Sequence, residues 1–177
     1  MLYLAREMQG SILDIGGGGE GVIGRLYKDQ VVAVDHCQEE LDEAPNCFTK
    51  MLMDATNLEF SSGAFDHVTF FFSLMFMNVQ TQLQALAEAV RVLKPGGTLH
   101  IWDADIFSAY PAPFCIDLDI QTEEEAIHTT FGCVSDVTNQ NAATVTSVCL
   151  NQGLVLKKQE ADGNRFYLEL EKPAMAG

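Results

Sequence analysis

The sequence predicts an α/β fold: a doubly wound, mostly parallel sheet closed by an antiparallel hairpin near its C-terminal end. Three observations carry that prediction. Apolar, β-branched runs alternate with stretches of helical period. Four consecutive glycines, Gly16 to Gly19, follow the first of those runs. Two further runs flank an Asp162-Gly163 turn signal near the end of the chain.

The elements follow in order. "SILDI" reads as a short buried strand, and "EGVIGRLYKD" as the helix after the glycine turn. "VVAVD" (Val31 to Asp35) is a second β-branched run ending in an acid. "QEELDEA" is a polar helical piece stopped before Pro45, and "CFTKMLMD" a third strand ending in Asp54. Phe65 to Leu74, β-branched and aromatic, predicts a fourth strand buried on both faces. From Gln82 to Leu93, residues Leu83, Leu86, Ala87, Val90 and Leu93 recur at helical spacing, with Lys94 to Gly97 as the stop. "TLHIW" is the fifth strand. Next, "FCIDLDIQ" and "IHTTFGCVS" alternate apolar and polar residues and predict an antiparallel pair joined through Thr122 to Glu125. After Thr138, read as an N-cap, "NQNAATVTSVCLNQ" is a helix closed by Gly153, and Leu154 to Glu171 form the hairpin. "KPAMAG" reads as a loose tail.

Composition narrows the settings. A chain of 177 residues, 47% hydrophobic and without a break in composition, supports one domain over residues 1–177. The opening "MLYLAREMQG" lacks the apolar stretch of a signal peptide, and the run near Phe70 to Met77 is interrupted by Ser73 and too short for a membrane span. A cytoplasmic protein without a membrane partner is expected. Cys37, Cys47, Cys115, Cys133 and Cys149 are widely spaced with no C-x-x-C pair, which argues against a disulfide framework or a metal clip. A net charge of −15 with no basic cluster argues against nucleic acid.

The functional signal lies in "ILDIGGGGEG". Glycines between a strand and a helix allow close approach to the backbone, and Gly16, Gly18 and Gly21 also satisfy G-x-G-x-x-G, with Asp35 at the spacing of a ribose-binding acid. A dinucleotide site is therefore one reading. Asp14 favours another, because a carboxylate beside the loop repels a pyrophosphate yet suits an ammonium.

"ILDIGGGGEG" resembles the first motif of the class I S-adenosylmethionine-dependent methyltransferases, and "VVAVD", "MDATNLEFSSGAFDHV", "FFFSLMFM" and "AVRVLKPGGTLHIWD" resemble the family's later landmarks in the family's order. The resemblance covers Ser11 to Asp103 together with the final helix and hairpin. It implies a Rossmann-like sheet of strand order 3-2-1-4-5-7-6, bound S-adenosylmethionine, and a set of cofactor-binding residues. Asp14, Gly16, Gly17 and Gly18 would receive the methionine end. Asp35 would hold the ribose hydroxyls and His36 would lie against the adenosine. Asp54 and Ala55 would hold the adenine, while Ser73 would sit near the methyl group. Glu20 departs from the family, which often has a third glycine there.

A sulfonium methyl is already activated, so the implied chemistry is mainly alignment and needs neither metal nor catalytic triad. Met75, Met77 and Asn78 after the fourth strand and Asp103 and Asp105 after the fifth are further candidates. Against those roles stand core packing for the methionines and a plain solvated turn for the acids. Residues 106–134 are expected to form an acceptor-side insertion or lid over a small-molecule acceptor. Phe107, Tyr110, Phe114 and Phe131 would supply its aromatic lining, and Asp117, Asp119 and Glu123 to Glu125 a preference for a cation. A homodimer is a further expectation. Two other readings remain open at this level: a nicotinamide-dependent oxidoreductase and a non-catalytic interaction module on the same fold.

Overall fold

Every residue of Ile12–Ile15 is buried, which is why that strand shows no alternation; we label it β2, after a two-residue β1 at Leu2–Tyr3. The computed structural model describes residues 1–107, 111–134 and 140–174. After β2 come α1 (Val22–Tyr27), β3 (Val31–Asp35), α2 (Gln38–Glu43), β4 (Thr49–Leu52), β5 (Phe65–Phe71), α3 (Val79–Val92) and β6 (Leu93–Ala104). The remainder comprises β7 (Phe114–Gln121), β8 (Ala126–Cys133), α4 (Ala142–Asn151), β9 (Val155–Asp162) and β10 (Arg165–Glu171).

Seven strands form the main sheet in the order β4-β3-β2-β5-β6-β10-β9, parallel from β4 to β6 and antiparallel at β10. Numbered along the chain within that sheet, the order is the 3-2-1-4-5-7-6 implied by the resemblance. One face packs Leu13, Ile15, Val68, Phe70, Leu99 and Ile101 against α3 and α4. The other packs Ile12, Ala33 and Phe71 against α1 and a second, three-stranded sheet, β1-β7-β8. That small sheet contains the expected antiparallel pair. The parallel addition of Leu2 and Tyr3 to β7 was not legible in a two-residue run.

Several boundaries differ from the sequence reading. The helix after the glycines ends at Tyr27 and passes into a single 3-10 turn, Lys28–Gln30. α3 begins at Val79, three residues early, because the Asn78 side chain accepts a hydrogen bond from the Thr81 backbone N–H at 2.9 Å. α3 does stop at Val92, before Lys94 to Gly97, but those residues belong to β6 rather than to a turn. Gly96 and Gly97 exchange backbone hydrogen bonds with Lys172, a partner 75 residues or more away in sequence, and the register with β5 shifts there. α4 is capped reciprocally by Asn141 and Thr144; the expected cap, Thr138, lies outside the described residues.

Candidate functional site

The carboxyl ends of β2, β3 and β5 bring the first-motif residues together. Asp14 is 2% exposed, and its register partner Thr69 donates a hydrogen bond to its Oδ1 at 2.6 Å. Oδ2 accepts no hydrogen bond among the described residues. Burial pushes this carboxyl up to about 7, with the hydroxyl of Thr69 working against the shift and the charge of Asp35 adding to it.

The glycines serve the protein's own packing first. A Cβ on Gly16 would lie 2.5 Å from the Ser73 side chain, and one on Gly17 would lie 2.5 Å from Asp14 Oδ2 and 2.9 Å from Ala33. On Gly18 it would meet Glu40 at 2.6 Å. The loop is thus pressed between β5, β3 and α2, with the Gly19 N–H donating to the Glu40 carbonyl at 2.7 Å. α1 has only six residues and Gly21, in the left-handed region at φ 56°, precedes it.

Asp35 accepts from the Cys37 N–H at 3.0 Å and the Gly18 N–H at 3.3 Å, one on each oxygen, so each oxygen keeps a further lone pair. His36, its side chain 87% exposed, stands 3.5 Å from Asp35. Beside it His36, Leu52, Met53, Asp54, Asn57 and Glu59 line a cleft of about 320 Å³. Asp54 lines that cleft while its Oδ1 accepts from the Thr56 N–H and hydroxyl, both at 2.8 Å, which hold its carboxyl below the usual range. Ala55 packs on the core, and the Ser73 hydroxyl donates to the Ile15 carbonyl at 2.7 Å, pinning the glycine turn. Glu20 turns to Arg25.

These residues fit S-adenosylmethionine by their chemistry. A carboxylate oxygen without a protein donor suits an ammonium, a two-oxygen acceptor at a strand end suits a diol, and Leu52 and Met53 add apolar surface to the neighbouring cleft. Sequence reasoning missed Thr69, which holds Asp14, and Glu40, which covers the loop; both are placed by sheet register and helix packing and carry no local signal.

Of the other candidates, Met75 is buried and Met77 packs on the core, and Asn78 caps α3. Asp103 is no solvated turn. It is fully buried, accepts from Met75 N, Ala104 N and Gln140 Nε2 at 3.3, 2.8 and 2.7 Å, and burial pushes it up to about 7. Asp105 accepts the Ala142 N–H at the start of α4. Among the described residues no group of three His, Cys, Asp or Glu side chains is placed to hold a metal.

In the segment 106–134, Phe131 stacks on Phe72 at 5.5 Å and Phe114 packs against the core, while Phe107 is 74% exposed and Tyr110 lies outside the described residues. The acids there do not converge. Asp117 and Asp119 accept from Thr130 and pair with His128 on the outer face, Glu124 and Glu125 pair with Lys28 and Arg25, and Glu123 is exposed. The expected cation preference therefore has no geometric basis.

Comparison with known proteins matches residues 13–101, half of the chain, to the family model described as a methyltransferase domain. The ubiquinone/menaquinone biosynthesis C-methyltransferase UbiE of Desulfotalea psychrophila is 33% identical over 97 residues, 50% of this chain and 39% of that protein. The chain thus spans about two-fifths of that relative's length. Among solved structures, an S-adenosylmethionine-dependent methyltransferase of Methanosarcina mazei superposes with a TM-score of 0.69 at 16% identity, covering 94% of this chain and 95% of the other. The [4+2]-cyclase SpnF superposes at 0.68 and 16% identity, covering 94% and 76%.

Proposed function

This chain belongs to the methyltransferase domain family, and on that footing we propose that it transfers a methyl group from S-adenosylmethionine to a small-molecule acceptor. The observation that carries the proposal is the Asp14 carboxylate, whose Oδ2 accepts no hydrogen bond among the described residues, lying one strand from Asp35. When bound, S-adenosylmethionine supplies a methyl group already activated on a sulfonium. What remains for the chain is to bind, orient and exclude water.

Asp14 receives the ammonium and is held by Thr69 in the geometry to do so. Asp35 takes the ribose hydroxyls, and His36, Asp54 and Ala55 border the base in the cleft at the ends of β3 and β4. Gly16, Gly17 and Gly18 keep the backbone low, so that no side chain stands above Asp14. Ser73 fixes the turn after β5 against the glycine loop. Asp103 holds the following residues from beneath through the Met75 N–H. The segment 106–134 covers the acceptor side.

Titration calorimetry with S-adenosylmethionine, its demethylated product and NAD tests this reading. Micromolar binding of the first two and none of NAD is expected. Asp35→Ala should weaken it ten- to a hundredfold, about 1.5–3 kcal/mol for hydrogen bonds to a charged group. Binding of NAD alone would replace the proposal with an oxidoreductase. Because SpnF places a cyclase on the same fold, the activity assay must follow the methyl group itself.

A further inference from the structure

The turn after β5 carries a backbone conformation that its surroundings have to hold. Phe72 lies at φ 51°, in the left-handed region that side chains other than glycine rarely adopt, and Ser73 beside it pins the glycine loop through the Ile15 carbonyl. The 3-10 turn Leu74–Phe76 follows at once. A line of two amides ending on a carboxylate grips that turn from the side away from the glycines.

Gln82, near the start of α3, begins the line. Its Nε2 lies 2.9 Å from the Leu74 carbonyl, 3.2 Å from that of Met77 and 2.8 Å from Gln140 Oε1. Gln140, 2% exposed, donates from its own Nε2 to Asp103 Oδ1 at 2.7 Å and to the Ala104 carbonyl at 3.0 Å. Asp103 closes the circuit by accepting the Met75 N–H at 3.3 Å. The line has one direction: Gln82 donates, Gln140 accepts and donates, and Asp103 accepts. A neutral amide does both at Gln140, whereas a methionine of similar length does neither.

Gln140 is also the neck of the acceptor-side segment. Its carbonyl accepts the Ile106 N–H at 2.7 Å, the two residues pair as an antiparallel bridge, and β7 and β8 lie between them in the chain. The backbone of this residue thus holds the point from which the small sheet departs, while its side chain holds the turn after β5.

We propose that Gln140, aligned by Gln82, is a positioning residue that sets the turn after β5 from the neck of the acceptor-side sheet, so that the Ser73 end of the cofactor site and that sheet keep one relative arrangement. The effect on the cofactor rests on the methyltransferase reading; the coupling of turn and neck does not.

Backbone hydrogen exchange, followed residue by residue on cofactor-free protein, tests the coupling with Gln140→Met and with Gln82→Met, the second at a half-buried position. Each substitution should be felt on the side that it does not touch. Gln140→Met should quicken the Met75 and Met77 N–H groups about tenfold, and Gln82→Met should do so for Ile106 and β7, with β2 and β3 unchanged in both. Changes confined to the groups that each side chain contacts, or spread equally over β2 and β3, would overturn the proposal. Calorimetry on the same samples should show S-adenosylmethionine bound about fivefold more weakly by both variants than by the parent. Gln140→Glu supplies a rescue, because the protonated carboxyl donates to Asp103 and accepts from Gln82, and two carboxyls side by side retain a shared proton. Its deficit, taken relative to the parent at each pH, should shrink between pH 8 and pH 6, while that of Gln140→Met stays constant. Parent-like affinity in both methionine variants, or a Gln140→Glu deficit indifferent to pH, would leave the methyltransferase reading standing and remove the positioning role. If the parent itself fails to bind S-adenosylmethionine, that reading falls and the exchange rates alone decide the coupling.

Discussion

At Gly17 there is no room for a methyl group between Asp14 and Ala33, whereas β7 and β8 of the small sheet, 40 or more residues beyond β5, rest on the body through side-chain contacts. Those contacts include the Phe72–Phe131 stack, the part-buried pair of Arg25 with Glu125, the exposed pair of Lys28 with Glu124, and a row of buried residues including Leu118 and Ile120. The first region is over-determined by backbone and close packing. The second is held side chain by side chain. On the proposed function, the first region would hold the cofactor and the second would border the acceptor.

The largest effect expected to test that contrast is on pH dependence. Burial raises Asp14 from 3.8 to about 7, so between those values the folded state binds more protons than the unfolded. Stability therefore falls as pH rises from about 4 to about 7, by on the order of a few kcal/mol, and Asp103 adds in the same sense. Asp14→Asn should flatten the curve of urea midpoints against pH and be more stable than the parent at pH 8, while losing cofactor affinity. An unchanged slope would assign the whole effect to Asp103. Next, Gly17→Ala should cost about 1–3 kcal/mol by overpacking, seen as a lower urea midpoint at unchanged m. Phe131→Ala should remove a stacking term of about 0.5–1.5 kcal/mol beyond the area it buries. Its signature is local: hydrogen exchange should quicken in β7 and β8 and stay unchanged in β2 and β5. Smallest is Lys28→Ala, which removes an exposed pair worth about 0.2–1 kcal/mol and should match the parent in 1 M salt.

The same division decided what could be read from the sequence. β2, β3, β5 and the glycine turn announce themselves because their burial is written in consecutive residues, and Asp14 and Asp35 follow as the acids at strand ends. The family match, residues 13–101, stops at the end of that region. Beyond it the deciding partners are distant. Leu2–Tyr3 joins β7 across more than 100 residues, Lys172 turns Lys94 to Gly97 into strand, and Glu125 and Glu124 reach back to α1 and the 3-10 turn after it. The reading of residues 117 to 125 as an anionic lining failed because alternation fixes which face a side chain takes and says nothing of what lies opposite. Trp102 and Tyr167 were invisible as a pair, since only the antiparallel register of β10 on β6 brings them together.

That register has a consequence for assembly. β10 is inserted between β6 and β9, so the flank of β6 stays unpaired until residues 165–171 have been made. At about 5–20 residues per second, that wait lasts on the order of seconds during synthesis. Through it, Leu99, Ile101 and the rings of His100 and Trp102 border an open strand edge, the kind of surface other nascent chains can join. β10 is thus an internal strand of the sheet made after its neighbours, and the body on which the small sheet packs is completed only when it arrives.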